Sequence, residues 1–150
     1  MLTLSDIKGN NKAKIRKFKL EDINRILEIE GQAFPKTAFS REAFLDCADR
    51  LSDSFIVVEV GEDIAGYMIF DMGGHILSMA VKSRFRRMGI GTVMFMHALK
   101  CANKRLQLEV RSKNVGAISF YKRLGMRIAG KITDYYGTDD ALVMVLNQRR

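Results

Sequence analysis

Hydrophobic and polar positions follow a helical period in the first part of the chain. Apolar residues spaced three or four apart from about Leu20 to Ala33 predict a first helix, which Pro35, the only proline, ends. A second helix is expected over "SREAFLDCADR", with Ser40 as its N-cap. Before these helices, "KIRKF" (14–18) predicts a short edge strand, and residues 1–13 are polar and expected to be loose.

Short apolar runs separated by glycine or polar turns follow in the rest of the chain. "SFIVVEV" and "IAGYMIF" predict a hairpin around "GED", and "HILSMAV" (75–81) predicts a further buried strand. A helix over about residues 91–103, the strand "RLQLEV" and a helix over "VGAISFYKRL" closed by Gly125 come next. "MRIAGKI" and "DALVMVL" are the final strands, around the loop "TDYYGTD".

The order of these elements predicts the fold class. The order β-α-α-β-β-β-α-β-α-β-β places antiparallel hairpins first and βα crossovers second. It indicates a mixed α/β fold: a single layer of about seven mostly antiparallel strands, flanked by about four helices. The length of 150 residues fits one domain, so residues 1–150 are expected to form a single domain.

A cationic turn joins the buried strand at 75–81 to the helix that follows it. "RFRRMGIGTVMF" (84–95) has three arginines and two glycines before an apolar run. Glycine lets the backbone approach a ligand closely, and a helix start offers unpaired N–H groups and a positive dipole end. The turn therefore predicts a phosphate cradle. It is neither a Walker A loop, because no lysine follows Gly91, nor a complete dinucleotide fingerprint, because the third glycine is missing.

Composition and charge narrow the choice of partners. The chain carries 25 basic and 17 acidic side chains, a net charge of +8, which favours phosphate-rich cofactors, nucleic acid or the ribosome. The basic clusters lack the series of stacked aromatic residues that a single-strand binder needs, so a dedicated nucleic-acid site is not expected. No segment predicts a membrane span or a signal peptide, and a cytoplasmic location is expected. Cys47 and Cys101 are expected to be reduced and buried, and no metal site is predicted.

Three segments together resemble a known family. "ILSMAVKSRFRRMGIGTVMF", "LEVRSKNVGAISFYKRLGM" and "YYGTDDALVMVL" resemble the GNAT superfamily of acetyltransferases, in particular the RimI-like and archaeal branch that acetylates protein N-termini. The resemblance covers the chain from about Lys14 to Leu146. It implies the GNAT fold, acetyl-CoA (coenzyme A) as cofactor, and a protein or peptide N-terminus as acceptor, with ribosomal proteins and ribosome association among the alternatives. Direct attack in a ternary complex is expected, because no cysteine lies in the motifs.

The resemblance assigns the cationic turn to the cofactor. In the family, the R-x-x-G-x-G turn binds the pyrophosphate of acetyl-CoA through backbone N–H groups. The strand before it splays from its neighbour and pairs with the pantetheine arm. An asparagine ahead of the next helix both caps that helix and contacts CoA. The cofactor-binding residues implied here are Met79, Ala80, Val81, Arg86, Arg87, Met88, Gly89, Ile90, Gly91, Thr92, Asn114 and Tyr121.

Two residues match the catalytic positions of the family. Glu109 matches the general base of the RimI-like branch, and Tyr121 matches the tyrosine that protonates the leaving thiolate of CoA. An α-amine has a pKa of about 7.7–8.0, so a glutamate, directly or through one water, suffices as base, whereas a lysine at about 10.4 demands more. Two structural alternatives stay open: a Glu109 that faces solvent or pairs with Arg111, and a Tyr121 that only packs its helix.

Two segments of the chain match the acceptor site of the family. In relatives, the segment after the first helix and a tyrosine loop near the C-terminus clasp the first residues of the substrate. The matching residues are Phe34, Pro35, Lys36, Phe39, Tyr135 and Tyr136. Some relatives carry a glutamate where Lys36 stands, so Lys36 is expected to favour acidic early residues. Two other functions stay open: acetylation of lysine or of a small-molecule amine, and a CoA-binding or ribosome-associated module without catalysis.

Overall fold

Strands and helices follow one another in the predicted order. The computed structural model describes residues 13–137 and 139–148 of the chain. Its elements are β1 (Ala13–Lys17), α1 (Ile23–Ala33), α2 (Arg41–Arg50), β2 (Phe55–Val60), β3 (Asp63–Phe70), β4 (Ile76–Val81), α3 (Ile90–Cys101), β5 (Arg105–Arg111), α4 (Val115–Arg123), β6 (Arg127–Ile132) and β7 (Ala141–Asn147). The N-terminal segment that was expected to be loose lies outside the described residues, except for Ala13, where β1 begins.

The ends of the helices follow the signals in the sequence. Ser40 Oγ accepts a hydrogen bond from Ala43 N–H at 3.1 Å, as predicted for the N-cap of α2. Gly125, with a φ of +101°, follows the C-cap of α4. Helix α1 begins at Ile23 and not at Leu20, because Leu20–Asp22 form a 3₁₀ turn ahead of it. No helix in the described part of the chain is long and apolar enough to cross a membrane.

The seven strands form two antiparallel sheets and not one continuous layer. The first sheet has the order β1-β2-β3-β4, and the second has the order β5-β7-β6. Within residues 13–137 and 139–148, the sheets are joined by one parallel bridge between His75 and Gln107, where Gln107 N–H donates to Gly74 O at 2.7 Å. The predicted single layer is therefore split between β4 and β5, since their pairing does not continue beyond this bridge.

Gly74 brings the two sheets together at the bridge. Its φ is +97°, and a Cβ added to it would lie 2.1 Å from the carbonyl oxygen of Arg105. Only glycine tolerates both this backbone conformation and this close approach. The contact holds His75, the next residue, beside β5.

Two apolar cores cover the two faces of the first sheet. Alternating residues of β3 point to opposite faces, so Tyr67 packs in the core of α1 and α2 while Met68 packs in the core of α3. Phe44 and Ile26 are fully buried in the first of these cores, and Phe95 is fully buried in the second. β4, at the open edge of the first sheet, is thereby fixed between helices on both sides.

The two cysteines are free thiols, but they differ in exposure. Cys47 is buried in α2, as predicted, whereas Cys101 is exposed at the end of α3. The prediction of burial is wrong for Cys101, because the last turn of α3 turns this position away from the core. Its Sγ lies 3.6 Å from His97 Nε2 on the same helix.

Candidate active site

A cleft of about 840 Å³ runs from the end of β4 along the start of α3. Most of the predicted cofactor-binding residues line it: Met79, Ala80, Val81, Arg86, Arg87, Gly89, Ile90, Gly91, Thr92 and Asn114. Met88 does not line the cleft and packs instead against the core of α3. Tyr121 lines a neighbouring cleft. We call the larger space the donor cleft.

One wall of the donor cleft was not predicted from the sequence. Helix α4 contributes Gly116, Ala117, Phe120 and Arg123 to it, and the C-cap of the helix contributes Leu124. These positions are spaced as one face of a helix, and this spacing is the signal that could have identified them.

The turn before α3 has the backbone geometry of an anion site. Gly89, the N-cap of α3, has a φ of +88°, and Arg87 also has a positive φ, of +64°. The first N–H groups of this 12-residue helix have no partners within the helix, and its dipole places positive charge at the same end. This end of the donor cleft therefore suits a phosphate.

The three arginines of the cationic turn have different contacts. Arg84 pairs with Asp63, and its guanidinium lies 4.6 Å from the centroid of the Phe85 ring. Arg86 and Arg87 are exposed and line the donor cleft. Arg84 is thus held on the surface by the hairpin of β2 and β3, while the other two arginines supply positive charge to the cleft.

A second cleft, of about 180 Å³, lies between β4, β5 and the segment after α1. Both predicted catalytic residues, Glu109 and Tyr121, line it. Four residues line this cleft and the donor cleft together: Phe34, Met79, Asn114 and Ala117. The two spaces therefore meet beside the end of β4, and we call the smaller one the acceptor cleft.

The structure brings half of the predicted acceptor residues to the acceptor cleft. Phe34, Phe39 and Tyr136 line it. Pro35, Lys36 and Tyr135 are exposed outside its lining, with the Tyr135 ring packed edge-on against Tyr136 at 4.9 Å between centroids. Four lining residues with polar side chains were not predicted: Glu30, Thr37, Ser78 and Arg111.

Glu109 is held by a histidine that was not predicted to belong to the site. Glu109 Oε1 lies 2.7 Å from His75 Nε2, and the Glu109 side chain is 14% exposed. Glu109 therefore neither faces solvent freely nor pairs with Arg111, which bonds Asp139 and lies 4.3 Å from the Tyr136 ring centroid. His75 is 34 positions from Glu109, so no local spacing indicates the pair.

Tyr121 both packs its helix and faces the acceptor cleft. Its ring centroid lies 6.3 Å from that of Phe95 and 5.3 Å from that of Phe120. Burial, and to a smaller extent the neighbouring Tyr136, raises the pKa of the Tyr121 phenol above its usual range. The hydroxyl therefore stays protonated at ordinary pH and is a hydrogen-bond donor.

Comparisons with known proteins agree with this geometry. The sequence profile of the acetyltransferase (GNAT) family matches residues 20–126. An N-alpha-acetyltransferase of Sulfurisphaera tokodaii is 27% identical over 164 aligned positions, which cover 95% of this chain and 98% of the relative. A Bacillus subtilis protein provisionally named ribosomal protein bS18-alanine N-acetyltransferase is 32% identical over 143 positions, covering 89% of this chain and 94% of the relative. The crystal structure of Ard1 from Thermoplasma volcanium superposes with a TM-score of 0.82 at 29% identity, covering 92% and 99% of the two chains.

Proposed function

The chain belongs to the acetyltransferase (GNAT) family, and we propose that it transfers the acetyl group of acetyl-CoA to the N-terminal α-amine of a protein or peptide. The observation that carries the proposal is the meeting of the donor and acceptor clefts. Glu109 and Tyr121 line the acceptor cleft beside that meeting point. This arrangement supports an acid and a base acting where an amine and an acyl donor would come together.

The residues of the donor cleft fit acetyl-CoA. The N–H groups at the start of α3, with Arg86 and Arg87, would hold the pyrophosphate. The end of β4, from Met79 to Val81, has no partner strand on its far side within the described residues and would hold the pantetheine arm through backbone groups. When bound, acetyl-CoA supplies a thioester whose acetyl carbon is open to attack by an amine. A β4 N–H aimed at the thioester oxygen would stabilise charge that develops there.

Glu109 is the proposed base. The attacking α-amine has a pKa of about 7.7–8.0 and is partly neutral near neutral pH, so the base has only to accept the proton released after attack. The contact with His75 Nε2 fixes the orientation of the Glu109 carboxylate.

Tyr121 is the proposed donor to the leaving sulfur. Because burial keeps its phenol protonated, Tyr121 can donate a hydrogen bond, or the proton itself, to the thiolate as it leaves. A phenol is a weaker acid than a thiol, so hydrogen-bond donation to the thiolate is favoured over complete transfer of the proton.

The acceptor cleft suits the start of an extended peptide. Its volume of about 180 Å³ is small, and its aromatic lining from Phe34, Phe39 and Tyr136 can pack a short side chain. The carboxylate of Glu109 attracts the ammonium form of an N-terminus into the cleft. The name of the Bacillus subtilis relative refers to an alanine of a ribosomal protein, which makes ribosomal N-termini the first acceptors to examine for this chain. A cytoplasmic location remains a prediction from the sequence.

Kinetics of acetyl transfer to a peptide with a free N-terminus test the proposal. Glu109→Gln is expected to lower kcat by about 10²–10³-fold and Tyr121→Phe by about tenfold or more, because each removes a proton-transfer group. CoA binding, measured by calorimetry, is expected to stay within about twofold of the wild type, because the phosphate end of the donor cleft is untouched. Glu62→Gln, in the exposed turn between β2 and β3, is the matched control and should behave as the wild type. Wild-type rates in both active-site variants would overturn the proposed roles.

A further inference from the structure

Glu30 is a buried carboxylate at the acceptor cleft. It lies on α1 and is 1% exposed, and Asp22 is the only other buried carboxylate among the described residues. A carboxylate is removed from water only where polar partners compensate for the lost hydration. The partners of Glu30 therefore indicate why it is there.

Three donors from three parts of the fold converge on the Glu30 carboxylate. Its Oε2 accepts the backbone N–H of Phe39 at 2.8 Å. Its Oε1 accepts the hydroxyls of Ser78, at 3.2 Å, and of Tyr67. The carboxylate thus links α1 to β3, to β4 and to the segment between α1 and α2.

The segment tied down by Glu30 forms one wall of the acceptor cleft. Residues 34–39 leave α1 with Phe34 N–H bonded to Glu30 O at 2.8 Å, and they return to the carboxylate at Phe39. Phe34 and Phe39, at the two ends of this segment, both line the cleft. Opposite them, Ser78 stands next to Met79 on β4, at the junction with the donor cleft.

The contacts favour an anchoring role for Glu30 over a role as a second base. Both of its oxygens already accept hydrogen bonds, and its 1% exposure leaves it almost no contact with solvent in the cleft. Burial raises the pKa of Glu30, and the bonds from Phe39 and Ser78 oppose that rise. Without the carboxylate, the Phe39 N–H would lose its acceptor, and the hydroxyls of Tyr67 and Ser78 would retain only each other, 2.9 Å apart.

We propose that Glu30 is a positioning residue that holds residues 34–39 against β4 and so sets the width of the acceptor cleft. The inference rests on the proposed function, because it assigns the peptide N-terminus to this cleft. It makes Glu30 important for acceptor binding and unimportant for acetyl-CoA binding.

Two substitutions of Glu30 distinguish an anchoring role of its hydrogen bonds from a role of its negative charge. In Glu30→Gln, the amide oxygen can accept the Phe39 N–H, and the amide NH₂ can donate to the hydroxyl oxygens of Ser78 and Tyr67, so the anchor survives. In Glu30→Met, a chain of similar length makes none of these bonds. Asp22→Asn is the matched control, because Asp22 is also a buried carboxylate but pairs with Arg16 at 2.8 Å, outside the lining of both clefts.

Steady-state kinetics give the first readout. Glu30→Met is expected to raise the KM for an N-terminal peptide by about tenfold, the equivalent of losing one hydrogen bond to a charged group. Its KM for acetyl-CoA should stay within about twofold, and Glu30→Gln should restore the peptide KM to within about threefold of the wild type. Asp22→Asn should lower Tm without raising the peptide KM. A Glu30→Gln variant as impaired as Glu30→Met, with the loss in kcat, would overturn the anchoring role.

Hydrogen exchange gives a second readout that does not depend on the acceptor. The Phe39 amide is expected to exchange slowly in the wild type and in Glu30→Gln, and at least tenfold faster in Glu30→Met, because the amide loses its acceptor. Equal exchange in all three proteins would overturn the inference. If the wild type failed to acetylate N-terminal peptides, the proposed function would fail, and this measurement would still decide the role of Glu30.

Discussion

The protonation state of Tyr121 decides how the enzyme behaves at alkaline pH. Burial raises the pKa of Tyr121, so the neutral phenol that can donate to sulfur persists to a higher pH than an exposed tyrosine would allow. Deprotonation of Tyr121 removes the hydrogen-bond donor and should lower the rate. Because the pKa of Tyr121 is raised, this fall in rate should occur at a higher pH than for an exposed tyrosine.

We therefore expect kcat/KM for an N-terminal peptide to rise with pH and then hold. The rise should follow the α-amine, with a pKa of about 7.7–8.0, and a plateau should extend to about pH 10, the ordinary tyrosine value. Initial rates across this range measure the profile. A descending limb that begins below about pH 9.5 in the wild type and is absent in Tyr121→Phe would show that Tyr121 titrates normally, contrary to this account.

Three residues show which members of the site could be predicted from the sequence and which could not. Glu109 was predicted to be in the site from its motif, and it lines the acceptor cleft. His75 was not assigned to it, because its bond to Glu109 joins two strands that only folding brings together. Glu30 carried an unused signal: it follows Ile26 by four positions and so continues the apolar stripe of α1, where a solvent-facing glutamate is not expected.

At the scale of elements, the start of α3 depends on the conformation of its N-cap. Gly89→Ala would place a side chain on a residue with a φ of +88°, at a cost of about 1 kcal/mol or a displaced turn. Because the turn presents the N–H groups of the phosphate site, we expect the KM for acetyl-CoA to rise several-fold while the peptide KM changes little. Steady-state kinetics with each substrate varied in turn measure both.

The control for this substitution is a glycine inside a helix and away from the turn. Gly31→Ala, within α1, adds a Cβ that meets nothing within 4 Å, so it should leave the KM for acetyl-CoA unchanged and slightly stabilise the helix. An unchanged KM for acetyl-CoA in Gly89→Ala as well would argue against the turn as the phosphate site.

Local patterns predicted the elements better than their assembly. The order of strands and helices was confirmed, because hydrophobic period and capping residues are encoded locally. The local patterns did not predict the split between β4 and β5, since it depends on a single bridge and on the close approach at Gly74, 31 positions before Arg105 in the chain. Only the family resemblance implied that β4 splays from its neighbour. Likewise, the composition of the cationic turn could not show that Arg84 would be held by Asp63.

Over the whole molecule, the distribution of charge is more informative than the net value. The chain carries a net charge of +8, which alone is compatible with nucleic acid, phosphate compounds or the ribosome. The structure places Arg86 and Arg87 at the donor cleft and the carboxylate of Glu109 at the acceptor cleft, where Arg111 is paired with Asp139. These opposite signs match a polyphosphate donor and a cationic amine, and they favour an enzyme with two substrates over a module that only binds an anion.

The central claim is that the acceptor is an N-terminal α-amine, and mass spectrometry of paired peptides tests it most directly. The protein is incubated with acetyl-CoA and two peptides of one sequence that contains a lysine. One has a free N-terminus, and the other has a blocked N-terminus, so only its lysine can react. We expect acetylation of the free peptide at its α-amine and none of the blocked peptide, because the α-amine is the more readily neutral of the two. Acetylation of the lysine in both peptides, with the free N-terminus left unmodified, would contradict the account.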